Sequence, residues 1–223
     1  MNEGYPPQVE ERLRADSREI VARYPVPRSA LMPMLHLVQS VDGFVSPRGI
    51  ALCADVLGLT RAEVSAVATF YSQYRRRPNG EYNVGVCTNA LCAVMGGDEI
   101  WEALTSALGV GSDETTPDGK ITLEALECNA GCDYAPVVMV NWEFFDNQTP
   151  TSALQIVEDI RAGRDLHPTR GADKVHTFKE TERVLAGFED GHADEGPGAG
   201  RASLRGLEIA RERGWSAPKE VAK

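Results

Sequence analysis

Cys87-x4-Cys92 and Cys128-x3-Cys132 set four thiols in two close pairs, with 35 residues between the pairs. Two pairs of soft sulfur donors, each in its own short segment, have the pattern of a tetrathiolate metal site. A two-iron cluster needs four thiolates, two per iron, and one pair per loop is a natural way to hold it. Zinc and disulfide chemistry are the alternatives that four cysteines raise.

The chain has five cysteines, an odd number, and its N-terminus, MNEGYPPQVEERLRAD, is polar, without an apolar signal segment or cleavage site. Both features point to a reducing, cytosolic setting and against a disulfide framework. Zinc is the serious competitor. Structural zinc sites favour C-x2-C knuckles, and the x4 and x3 spacings here are wider than that. His36, His167, His176 and His192 all lie outside the cysteine-bearing segment, so mixed Cys/His ligation has no support. The x4 spacing recurs in plant-type two-iron ferredoxins, although the rest of their pattern is absent. A redox C-x-x-C is also missing. Spacing alone favours the cluster and leaves zinc open.

Charge is concentrated around the thiols. Residues 1–80 hold 10 Lys/Arg against 8 Asp/Glu, 81–163 hold 2 against 14, and 164–223 hold 11 of each. The central segment, net −12, thus exceeds the whole-chain net charge of −10. Such a surface repels phosphate backbones and excludes nucleic acid as a partner. Beside a cluster it opposes added electron density and lowers the reduction potential. No apolar run is long enough for a membrane span, so any membrane association has to be indirect. Neither a G-x-G-x-x-G after a strand nor a P-loop is present, and no hydrolytic triad is recognisable.

The elements that must position the cysteines follow from periodicity. Residues 8–77 read as short helices that pack as a bundle: Glu10–Tyr24, a helix capped by Ser29, one starting at Ser46-Pro47, and one behind the capping box Thr60-x-x-Glu63. Cys53 sits on one of them as a small buried hydrophobe. After Arg75-Arg76-Arg77 and Pro78-Asn79-Gly80 the period changes. Tyr82–Val86 reads as a strand delivering Cys87, and Asp98 as the cap of a helix carrying Ile100, Leu104 and Leu108. The turn Pro117-Asp118-Gly119 leads to a second strand ending at Cys128. The run behind Pro136 forms a third, with a hairpin extended by Phe144-Phe145 near Asp146-Asn147. A last helix starts at Thr149-Pro150. Glycines at 96, 97 and 131 allow backbone to approach the ligands. Strand–helix–strand–strand–helix is a compact thioredoxin-like pattern in which the first two strands can pair in parallel. The expected fold class is α+β: a helical domain (1–80), a thioredoxin-like domain (81–163), and a flexible or partner-wrapping tail (164–223) with too little apolar surface to fold alone.

Three stretches in order carry a family resemblance. They are Ala68-Thr69-Phe70-Tyr71 with Pro78-Asn79-Gly80, Val86-Cys87-Thr88-Asn89-Ala90-Leu91-Cys92 with Gly96, and Glu127-Cys128-Asn129-Ala130-Gly131-Cys132 with Ala135-Pro136-Val137. With them, the segment Ser29–Gly163 resembles the small thioredoxin-like [2Fe-2S] ferredoxin subunit of the NADH-dehydrogenase module of respiratory complex I. The resemblance implies that Cys87, Cys92, Cys128 and Cys132 bind one [2Fe-2S] cluster, while Cys53 matches no ligand. It implies an electron-transfer subunit of an NADH:quinone oxidoreductase with no complete active site of its own. FMN and NADH would sit on a partner flavoprotein, and a large iron–sulfur subunit would belong to the same module. The location implied is cytoplasmic, peripheral on the inner membrane through the complex. An equivalent subunit of an NAD-dependent formate dehydrogenase or hydrogenase is the alternative, and a structural zinc interaction module a further one.

Overall fold

A computed structural model describes residues 4–216. Four helices come first: α1 (Pro7–Val21), α2 (Leu31–Asp42), α3 (Pro47–Leu57) and α4 (Arg61–Phe70). Their boundaries follow from local chemistry. Ser46 accepts from the Gly49 N–H at 3.0 Å and Pro47 supplies the first-turn φ. Thr60 and Glu63 form the expected capping box. Ser29 does not cap α2: it lies in a tight 3-10 turn, Pro27–Ala30, which leads directly into the helix. The bundle core is apolar, built around Leu13, Ile20, Met34, Leu35, Leu37, Val38 and Val64, all fully buried, with Cys53 among them. Its surroundings push the Cys53 thiol up to about 12, as expected of a packing residue.

A five-stranded sheet follows, with β1 (Tyr82–Cys87), β2 (Glu114–Thr115), β3 (Ile121–Leu126), β4 (Val138–Val140) and β5 (Glu143–Phe145) in the order β2-β3-β1-β4-β5. β1 and β3 run parallel, with Cys87 opposite Leu126, and the remaining pairs are antiparallel. After a short helix α5 (Ala90–Cys92), helices α6 (Asp98–Leu108) and α7 (Pro150–Ala162) contribute Ile100, Leu104, Ala153 and Val157 to a core with Val84, Val86, Ile121 and Leu123. The sequence pattern places the hairpin turn at Asp146-Asn147. It lies instead at Asn141-Trp142, where φ is +46° and +76°, because Asn141 is fixed from outside the turn: its side chain accepts from Asn83 N and donates to the His176 carbonyl. β2, a two-residue strand, gave no periodic signal.

The expectation of a flexible tail from residue 164 needs correction for residues 164–188. Leu166 and Val175 join the sheet core, and α8 (Phe178–Leu185) packs on α2. Phe178, Glu182 and Ala186 are buried, and the His36 Nδ1 lies 2.6 Å from Glu182 Oε2. Val184 and Leu185 of the same helix are exposed. α8 instead buries a carboxylate against a histidine, a choice that hydrophobicity cannot signal. Further on, α9 (Arg201–Glu212) has no buried residue.

Candidate metal centre

Parallel pairing of β1 and β3 brings both cysteine segments to one edge of the sheet. Cys87 ends β1, and the chain after β3 runs into Cys128 two residues beyond its last residue, Leu126. The first segment is helical rather than a plain loop. Asn89 accepts from the Ala90 N–H, starting α5, which continues through a π-turn, Ala93–Gly97, into α6. Asp98 therefore does not cap α6 as expected. Gly96 takes φ +112°, and a Cβ on Gly97 would lie 2.6 Å from the Cys87 carbonyl oxygen. The glycine pair thus folds the backbone of the first segment onto itself. Asn89 Nδ2 also donates to Glu127 Oε2 at 3.0 Å, tying the first ligand segment to the second.

Each expected ligand has a defined place. Cys87 and Cys92 are each 3% exposed and share a small apolar cluster with Val137 and Met139. Cys128 and Cys132 are exposed, with sulfurs 3.7 Å apart. Burial raises the Cys92 thiol to about 11, reinforced by Cys87 and Cys132 and opposed by a hydrogen bond from the Val137 backbone. Cys132 is raised mainly by its hydrogen bond with Cys128, and Cys87 adds to the shift. Cys92 and Cys132 are thus each shifted in part by a sulfur of the other segment, which brings the two pairs toward one site. A cation replacing their protons removes that repulsion, as thiolate ligation requires.

The donor set fits a two-metal cluster. A separation of 3.7 Å for Cys128 and Cys132 is close to the edge, about 3.8 Å, of a tetrahedron with metal–sulfur bonds of about 2.3 Å. Among the described residues, no three His, Cys, Asp or Glu side chains are gathered as a bound metal would hold them. The Ala130 N–H donates to Cys128 Sγ at 3.3 Å, made possible by a left-handed backbone at Ala130 with φ +56°. Asn129 Nδ2 is buried inside the same loop with no partner. An orphaned donor there suits a site whose acceptors are sulfur atoms of a bound group. Asn129 carried no signal in the sequence beyond lying between two cysteines.

Comparison with known proteins identifies the family. The family model "Thioredoxin-like [2Fe-2S] ferredoxin" matches residues 17–161. The E subunit of the NADH-quinone oxidoreductase of Mycobacterium bovis is 60% identical over 215 residues, covering 96% of this chain and 85% of that one. NADH-quinone oxidoreductase subunit 2 of Thermus thermophilus is 38% identical over 151 residues, 66% of this chain and 83% of that one. A crystal structure of NAD+-reducing [NiFe]-hydrogenase superposes with a TM-score of 0.54 at 20% identity, covering 60% of this chain and 23% of that chain, a likeness of fold. This chain belongs to the thioredoxin-like [2Fe-2S] ferredoxin family.

Proposed function

We propose that this chain is the electron-transfer subunit of an NADH:quinone oxidoreductase, holding one [2Fe-2S] cluster on Cys87, Cys92, Cys128 and Cys132. The observation that carries the reading is that both cysteine pairs come to one sheet edge, where Cys92 is shifted in part by Cys87 and Cys132, and Cys132 by Cys128 and Cys87. Identity of 60% across 96% of the chain to a subunit of that enzyme supports the assignment to complex I over a formate dehydrogenase or hydrogenase.

A bound cluster supplies one-electron storage; the chain contributes ligation, orientation and exclusion of water. Cys87 and Cys92 form the dry inner wall, and Cys128 and Cys132 the side nearer solvent. The electron partner is the FMN of a flavoprotein that also binds NADH, with a large iron–sulfur subunit in the same module. Leu91, Val94 and Met95, exposed beside Cys92, give a contact surface for such a partner. Among the described residues no helix is long and apolar enough to cross a membrane, and attachment to the cytoplasmic face of the inner membrane runs through the complex.

The test is the anaerobically purified chain. It should contain iron and acid-labile sulfide, absorb in the visible, and give a low-temperature paramagnetic signal after dithionite. Cys92→Ser should abolish or strongly alter that signal. Colourless protein containing zinc and no sulfide would refute the reading.

A further inference from the structure

Arg170 lies beyond the segment 17–161 that matches the family, yet its side chain reaches the second ligand loop. Its Nε and Nη2 donate to the Asp146 carboxylate at 2.9 and 3.2 Å, in a pair only 13% and 7% exposed. Nη1 donates to the Gly198 carbonyl at 2.8 Å. The guanidinium carbon sits 3.8 Å from the centroid of the Phe144 ring and 5.6 Å from that of Tyr134. A Cβ on Gly131 would meet Arg170 Nη2 at 3.2 Å and Phe144 at 3.1 Å. The backbone between Cys128 and Cys132 therefore rests close against this stacked arginine, and a side chain at Gly131 would have to push its neighbours aside.

The opposite side of the loop is held by the chain that follows. The Ala202 N–H donates to the Tyr134 hydroxyl at 2.9 Å, and Ser203 Oγ donates to Asp133 Oδ2 at 2.8 Å. Any side chain at Gly200 would collide with the Tyr134 hydroxyl. Asp133 and Tyr134 directly follow Cys132, so residues 198–203 lie across the ligand loop. Arg170 joins the two sides, because one guanidinium binds both the sheet edge at Asp146 and the crossing segment at Gly198.

We propose that Arg170 is a positioning residue that clamps the Cys128–Cys132 loop between the sheet edge and residues 198–203, so fixing how firmly the exposed pair holds its metal. The inference rests on the reading that these cysteines ligate the cluster. Its physical basis is the exposure of both ligands: burial does not hold their loop, so the contacts around it must. An arginine suits the task where lysine does not, since the planar fork binds a carboxylate twice and stacks on two rings.

The experiment compares the full-length chain, purified anaerobically, as wild type, Arg170→Met, Arg170→Lys and Gly200→Leu. Iron and sulfide content, the paramagnetic spectrum of the reduced protein, and the rate of bleaching by an iron chelator are read on each. Arg170→Met should lose its cluster about tenfold faster or more, the scale typical of outer-shell changes at metal sites, with an altered spectrum. Arg170→Lys should rescue it only in part. Gly200→Leu, which touches no core residue, should displace the crossing segment and move both readouts the same way even if Arg170→Met folds poorly. Wild-type bleaching rates and spectra in Arg170→Met and Gly200→Leu would overturn the clamp, as would full rescue by lysine. A wild-type chain without iron and sulfide would instead refute the ligand assignment itself.

Discussion

Glu124→Gln offers a demanding test of how the helical bundle is joined to the sheet. Glu124 lies on β3 and takes both forks of Arg75, at 2.9 Å to Nη1 and 2.5 Å to Nη2. The two side chains are 10% and 9% exposed, and Asn83 Nδ2 donates to the same carboxylate at 3.0 Å. Arg75 belongs to the bundle side: its N–H donates to Gln39 Oε1, and its carbonyl accepts from Val45 N. Removing one charge strands the other in the interior, which costs about 3–5 kcal/mol. Asp113 remains 3.6 Å from Arg75 but is 69% exposed, and an exposed partner returns about 1 kcal/mol or less. The net loss is therefore about 3 kcal/mol, a fall in Tm of about 6–12 °C for a chain of this length. Arg75→Met with Glu124→Leu leaves no stranded charge. That pair should cost about 1 kcal/mol, chiefly the Asn83 amide left without an acceptor. Thermal and urea unfolding followed by circular dichroism read both. The reasoning fails if Glu124→Gln loses less than about 1 kcal/mol, or if the double variant is no more stable than the single one.

Three further outcomes are expected. In the metal-free chain at pH 7.5, iodoacetamide should label Cys53 and Cys92 at least about a hundredfold more slowly than a free thiol, since thiolate is the reactive form and these thiols are raised to about 12 and 11. Peptide mapping that finds either among the first sites labelled would contradict this. Phe178→Ala empties a site only 1% exposed under α8; it should cost about 3–5 kcal/mol and expose the α8 segment to limited proteolysis, whereas wild-type cleavage rates would argue against α8 being pinned to α2. The cluster should titrate at a low potential, about −400 mV by analogy with plant-type centres, given the net −12 of residues 81–163. A reversible couple above about −200 mV would show that this charge does not govern it.

Much of this architecture is legible before any coordinates. Capping at Ser46, Thr60 and Thr149, the change of period after Gly80, and the parallel pairing of β1 with β3 all follow from local chemistry that tertiary contacts do not override. The thiols are legible because no other residue type offers that chemistry at that spacing. The failures share a cause. The start of α2, the hairpin turn, the start of α6 and the packing of α8 are each decided by partners distant in sequence or by backbone geometry that hydrophobic periodicity does not encode. Asn141 takes its left-handed turn because Asn83 and His176 engage it. Glu182 is buried because His36 receives it, 146 residues away. Arg170 has no signal at all, since a lone arginine in a charged segment looks like solvated surface.

The sheet's core and the small cluster around Cys87 and Cys92 are separate groups of side chains, and the bundle has a third core of its own. The bundle core and the sheet core contain none of the four proposed ligands, whereas the small cluster holds two of them, Cys87 and Cys92. Small zinc modules, by contrast, spend their binding energy on folding and collapse when stripped. Here only the small cluster borders the proposed cofactor, so losing that group should loosen the ligand segments before it touches either larger core. Iron shortage would then be felt at one edge of the sheet, in the two cysteine segments, while the centre of the molecule keeps its shape.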